Sequence, residues 1–215
     1  MAQTSTNITR FKAMLPDGVQ LVAVSKFQPL EKLKDAYSVG QRHFGESRAD
    51  ELAAKAAEMP SDTVWHFIGH LQTNKARRVV AHASIIESVD SERLLRLISS
   101  EAMRINRTID VLLQVHVAAE ETKTGFSATE LLECANNCKS LPGINICGVM
   151  GMATNTDNID RINSDFAAIA SVSHELRTII PSASVISMGM SDDWHLAVSH
   201  GANSVRIGSA IFGSR

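Results

Sequence analysis

A lysine at the end of an apolar run is the residue whose position in this sequence most favours covalent chemistry. The run is Leu21-Val22-Ala23-Val24-Ser25-Lys26, which predicts a strand that is buried on both faces and ends at Lys26. An ammonium group loses hydration in such a place, so it needs a partner charge or a lowered pKa. In the second case the amine is a nucleophile that can form a Schiff base with a carbonyl compound. The alternative is a lysine whose long side chain reaches water at the strand edge.

Two segments rich in glycine and serine near the C-terminus offer groups that bind phosphate. The first is Ser187-Met188-Gly189-Met190-Ser191, where Gly189 allows a close backbone approach and Ser191 can cap the following helix. The second is Arg206-Ile207-Gly208-Ser209, where Gly208 and Ser209 supply a backbone N–H and a hydroxyl. Each segment alone is weak evidence, because most such turns bind nothing. Together with Lys26 they indicate one site at the carboxyl ends of the strands.

A regular alternation of strands and helices must position these residues. The apolar runs predict eight strands, at 21–26, 42–45, 64–69, 84–89, 109–117, 144–150, 183–188 and 205–208. A short helix at about residues 4–15 is predicted before the first strand. About eight strand–helix units favour an α/β fold, a single (β/α)8 TIM barrel, over an open doubly wound sheet. The 215 residues leave no room for a second domain, so residues 1–215 are predicted to form one domain.

Composition and charge exclude several classes of protein. Lys and Arg number 21 against 23 Asp and Glu, so the net charge is −2 and no basic block favours nucleic acid or a membrane surface. The polar start lacks the apolar core of a signal peptide, and no apolar run approaches the roughly 18 residues of a membrane span. Three cysteines with no close pairing pattern favour reduced thiols in a cytoplasmic protein.

Metal binding is not predicted, although the chain has eight histidines. His66 and His70 are four residues apart, but the segment between them reads as a strand end and not as a helix. No H-E-x-x-H pattern is present, and the cysteines lack zinc spacing. His66 and His116 are therefore expected inside the barrel or at its rim.

Several segments resemble a known family. They are 23–26 (AVSK), 44–46 (FGE), 65–75 (WHFIGHLQTNK), 123–125 (KTG), 148–150 (GVM), 187–192 (SMGMSD), 205–208 (VRIG) and 211–213 (IFG). The chain from about Leu21 onward resembles the pyridoxal phosphate (PLP) homeostasis proteins, a PLP-binding family similar to the N-terminal barrel of alanine racemase. The resemblance implies the barrel fold of that domain, PLP as the cofactor, and a role in the supply of PLP inside the cell.

The resemblance assigns seven residues to the cofactor site: Lys26, Ser47, Met188, Ser191, Arg206, Gly208 and Ser209. Lys26 would carry PLP as a Schiff base. Ser191, Gly208 and Ser209 would hold the phosphate, and Arg206 would face the pyridine nitrogen. A guanidinium keeps its own proton and leaves that nitrogen neutral, which weakens carbanion stabilisation by the ring. The alternative for Arg206 is a salt bridge at the barrel rim.

The sequence also departs from the family pattern. Many relatives have an asparagine where this chain has Ser47, so an amide contact near the cofactor is replaced by a hydroxyl or lost. A lysine common two residues after the PLP lysine is Gln28 here. A second PLP site built from additional lysines is therefore doubtful, since Lys123 alone remains of that set.

Two functions follow from this resemblance. The first is a carrier that binds PLP reversibly, buffers the aldehyde, influences amino-acid and keto-acid pools and transfers PLP to apoenzymes. The alternative is an amino-acid racemase, which needs a base on each face of the substrate. In alanine racemase the second base is a tyrosine from a second domain, and the single tyrosine here, Tyr37, falls on the helix after the first strand. The sequence therefore favours a non-catalytic carrier over a racemase. It also favours a monomer.

Overall fold

Eight parallel strands form a closed barrel in this protein. The structure, a computed structural model, describes residues 2–120 and 124–213, so Lys123 lies outside the described residues. The strands are β1 (Gln20–Val24), β2 (His43–Glu46), β3 (Val64–Phe67), β4 (Ile85–Val89), β5 (Ile109–Gln114), β6 (Ile144–Met150), β7 (Val185–Ser187) and β8 (Ser204–Ile207). Each pairs in parallel with the next, and β8 pairs with β1 through the register Val22 to Arg206. The predicted (β/α)8 barrel is confirmed.

Helices connect the strands around the outside of the barrel. They are α1 (Ala2–Met14), α2 (Leu30–Ser38), α3 (Ala49–Glu58), α4 (Ala76–His82), α5 (Glu92–Arg104), α6 (Ala128–Cys138), α7 (Ile159–Ile179), α8 (Trp194–Ser199) and α9 (Ser209–Phe212), with a short 3₁₀ helix at Thr73–Lys75 before α4. None of the helices in the described residues combines the length and the apolar character needed to span a bilayer.

Hydroxyl side chains fix where α5 and α6 begin. The Leu94 N–H donates to the Ser91 side chain, which caps α5. At α6, Ser127 accepts from the Glu130 N–H, and the Glu130 carboxylate accepts from the Ser127 N–H, which is a complete capping box. Serine is a favoured residue at the N-cap, so both helix starts follow from local residue preference.

The predicted strand and helix ends are wrong at several positions. Strand β1 ends at Val24, so Lys26 follows the strand and is not its last residue. The predicted helix start at Ser191 is also wrong, because α8 begins at Trp194 after a turn in which Asp193 accepts from the Met190 N–H at 2.5 Å. The first helix runs from Ala2 to Met14 instead of about 4–15.

Two separate layers of side chains stabilise the barrel. Phe44 and Trp65 point outward, where their rings lie 5.8 Å apart within the apolar core between strands and helices. Gly45, the next residue along β2, points inward. A Cβ added to it would lie 3.2 to 3.5 Å from the side chains of Val22, Val24 and Ile68, which therefore also point into the barrel. Because strand side chains alternate, the inward series Val22, Val24 continues towards residue 26.

Candidate functional site

A cavity of about 330 Å³ opens at the carboxyl ends of the strands. Five of the seven residues assigned to the cofactor site line it: Lys26, Ser191, Arg206, Gly208 and Ser209. Apolar walls come from Val24, Ile68, Met150 and other side chains. The volume suits a small-molecule ligand, and the position is where barrels of this kind place their active sites.

Hydroxyl and backbone groups from two loops meet at one side of the cavity. Ser191 Oγ accepts from the Gly208 N–H at 3.4 Å and lies 3.2 Å from Ser209 Oγ. Gly189, whose φ is +91°, brings the first loop close to α8, since an added Cβ would lie 2.6 Å from Cβ of Ala197. These groups form a neutral, donor-rich cluster of the kind that binds phosphate.

Arg206 reaches the same cavity from inside the barrel, and its position is fixed by hydrogen bonds. Its Nη1 donates to Ser187 Oγ at 2.6 Å, and its Nη2 donates to the Gly151 carbonyl at 3.0 Å. Its Nη1 also lies 3.7 Å from Oε2 of Glu87, a carboxylate that is completely buried. The ion pair expected as the alternative for Arg206 is therefore present, but inside the barrel, and Arg206 still lines the cavity.

The Arg206 contacts belong to a longer chain of polar side chains, which we call the interior network: His43, His66, Glu87, Ser187 and Arg206. Ser187 Oγ donates to Glu87 Oε2 at 2.5 Å, and His66 Nδ1 donates to Glu87 Oε1 at 2.6 Å. His66 Nε2 lies 2.9 Å from His43 Nδ1, within hydrogen-bond distance. Glu87 on β4 and Ser187 on β7 are not on neighbouring strands, so this network crosses the barrel interior.

Charges in the interior network compensate one another. Burial opposes ionisation of Glu87, but hydrogen bonds and charge from His66 and Arg206 outweigh it and hold the pKa of the carboxyl below its ordinary value. Burial, with the neighbouring His66, lowers the pKa of His43 to about 4. Glu87 is therefore ionised and His43 neutral near pH 7, and Glu87 is the counter-ion of Arg206.

Two of the assigned residues are not among the side chains that line the cavity. Met188 is completely buried in the apolar core. Ser47 is half-buried in the loop after β2, where an added Cβ at Gly69 would lie 2.3 Å from the Ser47 carbonyl oxygen. Their contact with a cofactor stays a prediction.

Tyr37 lies away from this cavity. Its hydroxyl donates to Asp62, and the Arg42 guanidinium lies 3.7 Å from the centre of its ring. It sits near the end of α2 that leads into β2, at the opposite end of the strands from Lys26. The sequence prediction that Tyr37 falls on the helix after the first strand is correct.

Histidine and cysteine positions bear on metal binding. His66 is buried inside the barrel, as expected, and His116 is half-buried. Among the described residues one trio, Glu92 with Cys134 and Cys138, has donor atoms close enough to hold a metal ion. Burial raises the pKa of the Cys134 thiol to about 12, which favours the protonated thiol over the thiolate that binds metal.

Sequence reasoning missed the partners of these site residues. Glu87 and Ser187 were not singled out, although Glu87 and Ser88 interrupt an otherwise apolar strand of isoleucine and valine. A charged residue at that position is a usable signal, since a carboxylate in a buried strand needs a cation nearby.

Comparison with known proteins identifies the family. The family described as alanine racemase, N-terminal domain, matches residues 1–215. A pyridoxal phosphate homeostasis protein from Schizosaccharomyces pombe is 38% identical over 201 residues, which cover 92% of this chain and 84% of that protein. Its counterpart from Escherichia coli is 33% identical over 204 residues, which cover 93% of this chain and 87% of that protein.

Solved structures agree with this assignment. PipY of Synechococcus elongatus, solved without PLP, is 36% identical with a TM-score of 0.94, covering 98% of this chain and 100% of that one. The structure of PipY with PLP bound gives a TM-score of 0.91 at the same identity and coverage. Alanine racemase from E. faecalis, at 17% identity and a TM-score of 0.75 over 99% of this chain and 58% of that one, shares the fold. The chain therefore belongs to the pyridoxal phosphate homeostasis proteins, a family built on the N-terminal domain fold of alanine racemase.

Proposed function

We propose that this protein binds PLP through a Schiff base on Lys26 and acts as a carrier that buffers the cofactor. The observation that carries the proposal is that the Lys26 amine, the hydroxyl and backbone cluster around Ser191 and the Arg206 guanidinium all line the same cavity. The relatives named as PLP homeostasis proteins and the PLP-bound PipY structure support the same ligand.

The groups present fit the chemistry of PLP. Condensation of the Lys26 amine with the PLP aldehyde releases one water and forms the Schiff base, which is reversible. Ser191, Gly208 and Ser209 offer two hydroxyls and a backbone N–H to the phosphate, and these groups already lie within 3.4 Å of one another. Arg206 would contact the pyridine nitrogen.

Arg206 favours a carrier over a catalyst. A buried guanidinium whose charge is compensated by Glu87 does not give up its proton, so it can donate a hydrogen bond to the pyridine nitrogen without protonating it. When bound, PLP then supplies an aldehyde that captures amines but only a weak electron sink. Hydrogen bonds to Ser187 and to the Gly151 carbonyl hold the guanidinium in place, and they use two of its five N–H donors.

A racemase would need a second base on the far face of the substrate. Tyr37 cannot supply it, because its hydroxyl is bound to Asp62 at the opposite end of the strands. The titratable side chains among the described residues that line the cavity are Lys26, Asp192 and Arg206. The curated relatives named above are homeostasis proteins, and likeness to racemases under 25% identity extends to the fold alone.

We further infer a monomeric, cytoplasmic carrier that releases PLP to apoenzymes and so influences amino-acid and keto-acid pools. Reversibility of the Schiff base supports transfer, because an incoming amine or water can displace Lys26. The assignment of Ser47 and Met188 to the cofactor site belongs to this proposal as well.

The test is the visible absorption of purified protein with added PLP, before and after borohydride, together with intact mass and peptide mapping. Wild type should show a Schiff-base band that borohydride converts into a stable adduct on Lys26. Lys26→Ala should lose the adduct, whereas Lys34→Ala, an exposed lysine on α2, should keep it. A wild-type protein that forms no adduct, or forms it equally in Lys26→Ala, overturns the proposal.

Racemase activity is tested on the same samples. PLP-loaded wild type incubated with L-alanine should produce no D-alanine above the level given by free PLP. Racemisation that Asp192→Asn abolishes would instead identify the missing base and support the enzyme.

A further inference from the structure

The two peptide groups that flank Lys26 are held by one ion pair from helix α3. Lys55 Nζ donates to the Ser25 carbonyl at 2.7 Å, on the N-terminal side of Lys26. Glu51 Oε1 accepts from the Phe27 N–H at 2.6 Å, on its C-terminal side. Lys55 and Glu51 are themselves paired at 2.7 Å, one helical turn apart. We call this pair the α3 clamp.

Lys55 is itself fixed by its surroundings. It is only 7% exposed, and its third contact is with Glu46 Oε1 at 2.8 Å. Glu46 Oε1 also accepts from Ser25 Oγ at 2.5 Å. The three donors of the ammonium are therefore all used, which makes Lys55 a structural cation and not a competing nucleophile.

Glu46 depends on this arrangement in turn. It is completely buried at the end of β2, and its Oε2 has no hydrogen-bond partner among the described residues. Burial raises the pKa of its carboxyl, while the hydrogen bonds from Lys55 and Ser25 oppose that shift. The Lys55 ammonium thus compensates the buried Glu46 charge and also holds the Ser25 carbonyl. Movement of Lys55 would leave the Glu46 carboxylate buried without a counter-ion, which fixes the Lys55 side chain in place.

Phe27 shows why a clamp is needed. Its φ is +63°, a left-handed conformation that side chains other than glycine and asparagine rarely adopt. Its side chain is 50% exposed, with the Arg48 guanidinium 5.9 Å from the ring centre. The Gln28 N–H donates to the Ser25 carbonyl at 3.0 Å and closes the turn, and the hydrogen bond from the Phe27 N–H to Glu51 holds the peptide in its middle. That turn directs the chain away immediately after Lys26, at the point where the inward series of β1 reaches the cavity.

We infer that Glu51 and Lys55 are positioning residues that hold the Lys26 backbone so that its amine faces the cavity in the geometry needed to bind PLP. This inference rests on the proposed function of Lys26. Neither residue lines the cavity, so their effect passes through the two flanking peptides. The clamp reduces the conformational freedom that Lys26 would otherwise lose on binding, and this raises affinity by preorganisation.

The first experiment measures PLP release from Glu51→Ala, with Asp50→Ala as the matched control. Asp50 is the preceding residue of α3, but its carboxylate pairs with Lys75 and Arg78 on the surface. Glu51→Ala should weaken PLP binding or speed its release about tenfold, the value of one hydrogen bond to a charged group. Asp50→Ala should stay within about twofold of wild type.

A second variant separates positioning from loss of folding. Phe27→Gly in the Glu51→Ala background should restore part of the affinity, because glycine adopts the left-handed conformation without the side-chain penalty. Hydrogen exchange of the protein without PLP provides an independent measurement, since the Phe27 amide should exchange about tenfold faster in Glu51→Ala than in wild type or Asp50→Ala.

The outcomes distinguish this inference from the function on which it rests. If wild type forms no adduct on Lys26, both fail. If wild type forms it but Glu51→Ala and Asp50→Ala release PLP alike, the carrier stands and the positioning role is refuted. An unchanged Phe27 exchange rate, or a Phe27→Gly substitution that restores nothing in a folded Glu51→Ala protein, also refutes it.

Discussion

Removal of the Glu87 charge should destabilise this protein more than removal of any exposed carboxylate. In Glu87→Gln the side chain keeps its shape, but one of its two oxygens becomes an NH₂ group. Both oxygens accept hydrogen bonds in the native protein, from His66 at 2.6 Å and from Ser187 at 2.5 Å, so one donor would face another donor. Arg206, 3.7 Å away and buried, would lose its counter-ion.

The magnitude follows from the burial of the pair. Loss of one partner of a buried ion pair costs about 3–5 kcal/mol, because the remaining charge stays desolvated. A pair on the surface contributes up to about 1 kcal/mol. Glu92, whose carboxylate pairs with Arg96 and is 36% exposed, provides the control. We therefore expect Glu87→Gln to lower the free energy of unfolding by about 3 kcal/mol or more, and Glu92→Gln by less than about 1 kcal/mol.

The assay is urea denaturation at pH 7 of the protein without PLP. It compares the single variants Glu87→Gln, Glu92→Gln and Arg206→Met with the double variant Glu87→Gln/Arg206→Met. In the double variant no unpaired charge remains, so its loss of stability should be smaller than the sum of the single losses by about 1–3 kcal/mol. Additive losses, or a Glu87→Gln effect as small as that of Glu92→Gln, would refute the argument that the interior network compensates Arg206.

Two further predictions concern stability. The unfolded chain protonates His43 near its ordinary pKa of 6.5 and the folded protein only near about 4, so stability is lost as the pH falls through this window. The loss should be about 1–2 kcal/mol after allowance for partial exposure of the ring, and His43→Gln should reduce this dependence in urea denaturation. Ser127→Ala removes the hydrogen bond that the Glu130 N–H donates to the Ser127 side chain, while the Ser127 N–H can still donate to the Glu130 carboxylate, and we expect a loss of about 1 kcal/mol in the same assay. Unchanged stability of Ser127→Ala would mean that solvent replaces the cap.

Local patterns were sufficient to predict the fold. Apolar runs separated by amphipathic segments identify eight strand–helix units, and serine, a favoured N-cap residue, stands at the starts of α5 and α6. Exact ends were less accurate, since they depend on contacts between distant segments. Ser191 reads as a helix cap from its neighbours alone, but its hydroxyl bonds to Gly208 instead, and the turn closes through Asp193.

The sequence also indicates five of the residues that line the cavity, but not those that support them. Lys26 carries an unusual charge for its position at the end of an apolar run, and Arg206 is assigned by the family resemblance. The α3 clamp, Glu51 with Lys55, holds Ser25 and Phe27, and nothing in an alanine-rich helix predicts that its one lysine is buried. Such contacts need the register of β1 with β2 and the placement of α3, and neither can be read from spacing.

The hydrogen bond between Glu87 and Ser187 also bears on how the chain folds. The two residues are 100 positions apart, so the bond closes a very long loop. Glu87 emerges from the ribosome early, whereas Arg206 comes from the last strand. We expect a nascent chain that ends before β8 to keep Glu87 hydrated and its barrel open, because closure would bury the carboxylate without the Arg206 guanidinium. Completion of the chain would then be the step that permits closure, and a domain dominated by such non-local contacts should fold slowly.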